Sequence, residues 1–232
     1  MAYNITGVEE FDHKRTKVTL DYGEVAFLLY KGECRRFGIG GSGGGTAGGR
    51  GRAKAELSDE EYAGIRDEIL IPRAKKRVLY YMKNADKTRH QIRQKLREGY
   101  YPDEVIDAVM AFLDHYGFAD DQSYAESYIE ELRGICSRRE IEAKLMQRGL
   151  KSADIRTQLE TLTEEDEHAA CMRAFQKKYP GGLSGRGEYT PDDRIGQEDQ
   201  AAKEKQKAYA FLARKGFSPA VIRSVLHSDY DD

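Results

Sequence analysis

Residues 88–121, TRHQIRQKLREGYYPDEVIDAVMAFLDHYGFADD, spell a helix, a tight turn, a second helix and a stop. Their apolar skeleton is Leu96, Tyr101, Ile106 and Met110, at offsets of 5, 10 and 14 from the first. The same skeleton returns as Leu145, Leu150, Ile155 and Leu159, and again as Leu212, Phe217, Ile222 and Leu226. Self-similarity at fixed spacing marks a repeat architecture, in which each small unit buries its apolar side against a neighbour. The pattern predicts a mainly α fold: tandem three-helix repeats in an elongated array, preceded by a small N-terminal β-hairpin segment.

Local signals agree. Thr88-x-x-Gln91 and Ser137-x-x-Glu140 have the form of capping boxes, and each is followed by an Ile/Leu pair four apart, Ile92/Leu96 and Ile141/Leu145. Gly149 and Gly216 stand four residues after the skeleton leucine, where a helix stops with positive φ. In the first copy Gly99 comes one residue early and Tyr100 occupies the aligned position, so a different turn is expected there. Pro102-Asp103-Glu104 and Ser218-Pro219 suit the first turn of the helix that follows.

At these residues the chain resembles the RecX family of bacterial recombination regulators. The likeness lies in Ala74-x-x-x-Val78-Leu79, Thr88-x-x-x-Ile92-x-x-Lys95-Leu96 and Ile141-x-x-x-Leu145-x-x-x-Gly149-Leu150. It lies also in Tyr116-Gly117-x-x-Asp120-Asp121-x-x-Tyr124-Ala125-x-x-Tyr128-Ile129. It covers residues 57–162 well, and the amino-terminal strands and third repeat less. The resemblance implies a regulator that docks on the RecA–DNA filament and inhibits recombinase activity, with a β segment ahead of its helices.

Around this centre the chain divides into a hairpin segment (1–37), a Gly-rich flexible linker (38–56), and repeats at 57–119, 120–162 and 163–228. Lys17–Leu20 and Glu24–Tyr30 flank the turn Asp21-Tyr22-Gly23, and a lone hairpin needs helices or a third strand to pack on. Gly38-x-Gly40-x-x-Gly43 matches a dinucleotide fingerprint in letters only, because more glycine follows instead of a helix. Arg50, Arg52 and Lys54 there offer a minor nucleic-acid contact. Ser58-x-x-Glu61 opens a helix to about Leu70, and Pro72 is expected to begin another, with Ala74, Val78, Leu79 and Met82 as its apolar stripe. Residues 180–199 read as a disordered insertion in repeat three, with the next helix at about 200–215.

Net charge is only −2, yet the sign alternates along the chain. Arg73–Tyr100 holds ten basic residues against two acidic, and Tyr101–Glu131 nine acidic and no Lys or Arg. Ser137–Lys151 is basic again, five against two, and Lys203–Arg223 six against one. One edge of the array is therefore expected to be positive and to meet a polyanion or an acidic protein face. Arg89, Arg93 and Arg97 form a ridge at helical spacing. With Lys75, Lys76, Arg138, Arg139, Lys144 and Arg148 they are the expected partner-binding residues, on charge alone. Direct binding of single- or double-stranded DNA through helix-turn-helix units is the alternative, opposed by acidic Asp103, Glu104 and Asp107 where a recognition helix would sit.

Catalytic, metal and cofactor sites are not expected. His168-x-x-Cys171 has no second pair to complete a zinc site, and no nucleophile–base frame is recognisable. Three widely spaced cysteines fit reduced thiols. The absence of a long apolar run predicts no membrane span, and the polar start no secretory leader. The expectation is a cytoplasmic, monomeric binding protein.

Overall fold

All twelve skeleton positions are buried in the computed structural model, which describes residues 2–21, 24–40, 54–183 and 194–231. The chain packs as two compact units, Met1–Asp120 and Asp121–Asp232. In the first, β1 (Ala2–Glu10), β2 (Arg15–Leu20), β3 (Val25–Tyr30) and β4 (Glu56–Ser58) form an antiparallel sheet in the order β3-β2-β1-β4. The expected hairpin is the β2–β3 pair, with Leu20 opposite Val25 and Arg15 opposite Tyr30. Its tip, Tyr22 and Gly23, lies outside the described residues. β1 and the three-residue β4 extend the hairpin, Ala2 standing opposite Ser58. A short helix, α1 (Lys31–Arg36), follows β3. Most of the Gly-rich linker, including Arg50 and Arg52, lies outside the described residues; Lys54 pairs with Glu61.

Val18, Phe27, Leu29 and Leu57 of the sheet share one core with Tyr62, Ile65, Val78, Ile92, Leu96 and Ile106 of the helices. Asp59–Met82 is a continuous helical run, where two helices were expected. It passes from α2 (Asp59–Gly64) through a π-helical segment (Ile65–Leu70) into α3 (Ile71–Met82). Pro72 lacks an N–H and its ring crowds the carbonyl four residues back, but the widened turns just before it open that crowding. Leu79, expected in the apolar stripe, is 43% exposed, while Ala74 and Val78 are buried.

The remaining helices are α4 (Arg89–Arg97), α5 (Asp103–His115), α6 (Asp121–Leu132), α7 (Arg138–Gln147), α8 (Ser152–Leu159), α9 (Glu164–Lys178), α10 (Arg194–Arg214) and α11 (Pro219–Asp231). α6–α8 enclose a core on Ile141, Leu145 and Ile155, and α9–α11 another on Phe175, Leu212 and Ile222. Part of the expected insertion, residues 184–193, lies outside the described residues, and α10 begins at Arg194, ahead of its expected start.

The three skeleton turns close alike. The amides of Tyr101, Leu150 and Phe217 donate to the carbonyls of Leu96, Leu145 and Leu212 at 3.2–3.3 Å, and those of Tyr100, Gly149 and Gly216 to Arg97, Met146 and Ala213 at 2.9–3.0 Å. This is the paired closure of a Schellman motif. Gly149 and Gly216 take φ of 86° and 91°, and Tyr100 takes 57°. The turn expected to differ is therefore the same turn, made by a tyrosine at a conformational cost of about 1 kcal/mol. Gly99 serves space instead: a Cβ there would lie 2.9 Å from the Tyr101 ring and 3.1 Å from the Leu96 carbonyl.

Candidate protein-interaction surface

Ser137 caps α7 from a fully buried position. Its hydroxyl accepts from the Glu140 amide at 3.1 Å and donates to the Lys215 carbonyl at 2.6 Å. Lys215 belongs to the turn that ends α10, so the start of one helix is tied to the stop of another. A Cβ on Gly216 would come within 3.0 Å of both Ser137 Oγ and the Arg139 Cβ, which shows how closely the backbones approach. Arg133 reaches Asp166 at 2.8 Å and Arg138 donates to the Leu162 carbonyl at 2.7 Å, tying the α6–α7 turn to the start of α9.

Beside this junction α7, α9 and the end of α10 enclose two adjoining hollows, about 510 and 660 Å³, which share Glu140, Phe211 and Lys215. Six cations line them: Arg139, Arg173, Lys177, Lys178, Arg214 and Lys215. Glu140 is the one carboxylate among the described lining residues. It does not complete the expected capping box. Its carboxylate turns to Lys144 at 2.9 Å and Lys215 at 3.8 Å. Burial works to raise the Glu140 carboxyl, but these two ammonium groups outweigh it and hold it below the usual carboxylate range. Lys144 is raised in turn, chiefly by its hydrogen bond to Glu140. Arg139, Arg173, Lys177, Lys178 and Arg214 are exposed and make no ion pair among the described residues. Ile135 (44% exposed), Ala174, Phe211 and Phe217 are apolar members of the lining, and the half-buried Cys136 lies on the same wall. A concave, cationic surface with apolar residues in its lining suits an acidic protein face that carries apolar anchors.

The nine residues expected from charge fall into three states. Arg89, Arg93 and Arg97 each pair with a carboxylate of α5: Arg89 with Asp114, Arg93 with Asp107 at 2.8 Å, Arg97 with Asp103 at 3.5 Å. The ridge exists, but it is not a row of unmatched cations. Arg138 is held by the Leu162 carbonyl, with its buried Nε 3.8 Å from Glu167; Lys144 is held by Glu140. Arg148 lies over the Tyr128 ring at 4.2 Å, and Lys75 over Phe112 at 4.5 Å. Lys76 and Arg139 are exposed and make no ion pair among the described residues, and of all nine only Arg139 lines the cleft beside Glu140 and Lys144. Arg173, Lys177, Lys178 and Arg214 were not anticipated. The signal was present as RAFQKK at the end of α9, but Glu164–Glu167 at its start cancel it in any average over the helix.

Residues 74–113 match the family model for the RecX first three-helix domain, and residues 194–226 that for the RecX third three-helix domain. The chain belongs to the RecX family. The two matches bracket the second copy of the skeleton, at Leu145–Leu159. Among similar RecX proteins, the regulatory protein RecX of Clostridium tetani is 28% identical over 74% of this chain and 74% of its own length. That of Clostridium acetobutylicum is 28% identical over 78% and 81%. A crystal structure of a regulatory protein RecX superposes with a TM-score of 0.57 at 23% identity, covering 96% of this chain and 98% of its own. RecX from Lactobacillus salivarius gives 0.55 at 18% identity, covering 70% and 98%. These likenesses show a RecX fold and a regulatory family. No helix among the described residues is long and apolar enough to cross a membrane.

Proposed function

We propose that this chain is a cytoplasmic, non-enzymatic regulator that binds the RecA–DNA nucleoprotein filament and inhibits recombinase activity. Family membership and the cationic cleft support the reading: five exposed cations that make no ion pair among the described residues stand beside one already satisfied carboxylate. Such a surface raises the encounter rate with an acidic partner, and its apolar lining supplies short-range contact. Repeated copies of the partner along a filament would add avidity without new contacts. DNA reading through α5 finds no support. Asp103 and Asp107 face the ridge, and Glu104 is bonded to Tyr62 and, at 3.2 Å, to Arg66. These fixed acids would repel phosphates.

The test is anisotropy of the labelled chain titrated with RecA–DNA filaments, with naked single-stranded DNA and with duplex, across a salt series. Filament binding well above naked-DNA binding, together with slowed strand exchange, is expected. Arg173→Glu/Lys177→Glu/Lys178→Glu is expected to weaken filament binding by at least about tenfold, while the fold measured by circular dichroism stays intact. Equal affinity for bare duplex and filament would overturn the proposal. Unchanged affinity of the triple variant would remove the cleft from it.

A further inference from the structure

In the first unit, β2, β3, α3 and the Gly99–Tyr101 turn enclose a cavity of about 140 Å³ that the regulatory reading does not use. Three guanidiniums line it: Arg15, Arg73 and Arg77. Two are held in place. Arg15 is clamped by Asp12 at 2.6 Å, and Arg73 donates to the Leu28 carbonyl at 3.0 Å while paired with Glu33. Each guanidinium has five N–H donors, so both keep donors to spare. Arg77 is half-buried and makes no ion pair among the described residues; its neighbour is the Tyr101 hydroxyl. A half-enclosed cation without a counter-charge, facing two more guanidiniums, is an arrangement that an anion completes.

The mouth is aromatic. Tyr30 is 44% exposed and Phe11 44%, and Phe11 meets Tyr100 edge-on with ring centroids 5.5 Å apart. Lys17 sits 5.0 Å from the Tyr100 centroid. Tyr100 is the residue in the left-handed conformation where both sister turns use glycine. Backbone strain kept at a position that glycine would relieve points to a use for the side chain. Arg15, Arg73, Arg77 and Lys17 against Asp12 and Glu33 leave an excess of two positive charges around the cavity. A terminal phosphate carries close to two negative charges at neutral pH, about −1.5 to −2, whereas an internal phosphodiester carries one.

We propose that this cavity binds a terminal phosphate carried on a nucleoside, either a free nucleotide or the 5′ end of a nucleic-acid strand. Arg77 and Arg73 take the phosphate oxygens, and Tyr100 with Phe11 covers the sugar or base. The site is independent of filament binding, and its test contains no recombinase. Calorimetric titration uses dAMP, 5′-phosphorylated hexathymidylate and 5′-hydroxyl hexathymidylate. Saturable one-to-one binding is expected for a phosphorylated probe, at least about tenfold tighter than for the 5′-hydroxyl strand. Binding of dAMP alone assigns the site to a nucleotide, and of the phosphorylated strand alone to a strand end. Arg77→Met is expected to lower affinity by about tenfold without lowering the melting temperature. Tyr100→Gly is expected to weaken binding while raising the melting temperature, because it removes the ring and the strain together. Equal binding of phosphorylated and hydroxyl strands, undiminished binding by Arg77→Met, or no binding of any probe at millimolar concentration would overturn the proposal.

Discussion

The α4 ridge and the α7–α9 cleft hold the same kinds of side chain in opposite electrostatic states. Arg89, Arg93 and Arg97 run up α4 while Asp114, Asp107 and Asp103 run down the antiparallel α5, so each arginine meets a carboxylate. In the second unit α8 carries no matching set of acids. Arg156 of α8 instead reaches back to Glu142 at 3.7 Å, and beside the cations of α9 and α10 Glu140 is the one carboxylate among the described lining residues. The charge of a helix face is thus a property of the helix and its neighbour, and a count along one strand of sequence reads only half of it.

The largest expected effect tests whether the cleft is as rigid as the junction beside it. Gly216→Ala places a Cβ at φ 91° within 3.0 Å of Ser137 and Arg139. A loss of about 3 kcal/mol is expected in urea unfolding. A loss under half of that would show that the junction yields and that the cleft is soft. Ser137→Ala removes both the α7 cap and the bond to the Lys215 carbonyl. About 2 kcal/mol is expected, at the upper range for a buried cap. Thr88, the corresponding cap of α4, is equally buried, so Thr88→Ala is the matched control.

Much of the fold was written in the sequence. The skeleton leucines, the Ser58, Thr88 and Ser137 caps and the β2–β3 hairpin all stand where the pattern puts them. What escaped has physical reasons. β4 is three residues long and pairs with β1 across 52 to 56 positions of chain, Asn4 with Glu56 and Ala2 with Ser58, with no periodicity of its own. The π segment before Pro72 was hidden because Ile65 and Ile69 stand four apart as in an α-helix, whereas the residues it buries fully are Ile65 and Leu70, five apart. The α4–α5 pairing needs an antiparallel register that spacing within α4 does not contain. The cations of α9 were masked by the four acids of its own first turn. Tyr100 could be aligned with the two glycines, but its willingness to adopt their φ could not be read from its identity.

A smaller effect concerns pH at the cleft. The Glu140 carboxyl is depressed in the folded chain, so the native state binds its proton less readily than the unfolded chain does. Its contribution is fully present above the ordinary carboxylate value of 4.5 and is lost as pH falls through the lower folded value. Because the partners Lys144 and Lys215 are 34% and 47% exposed, solvent screens both pairs and the contribution is expected to stay under about 1 kcal/mol. Glu140→Gln should flatten that part of the acid limb of a stability–pH curve. An unchanged limb would mean that Lys144 and Lys215 find other partners at little cost.

The least effect on stability carries the sharpest test of the comparison. Asp103→Asn/Asp107→Asn/Asp114→Asn removes the three α5 acids that meet the ridge and leaves Glu104, Arg89, Arg93 and Arg97 in place. These pairs are exposed, the Asp103 side chain by 77% and Asp107 by 64%, so each contributes little. The triple variant should lose no more than about 1 kcal/mol in total. Its surface changes far more than its stability, because three matched ion pairs on one helix face lose their negative member. Binding to a polyanion such as heparin or single-stranded DNA should therefore strengthen, and its dependence on log salt should steepen by up to about three units, one for each phosphate newly neutralised. If instead the variant bound polyanions as the parent does, carboxylate pairing would not be what separates the ridge from the cleft. The contrast would then have to rest on concavity, which draws field lines into the α7–α9 hollow and leaves a convex ridge exposed to screening.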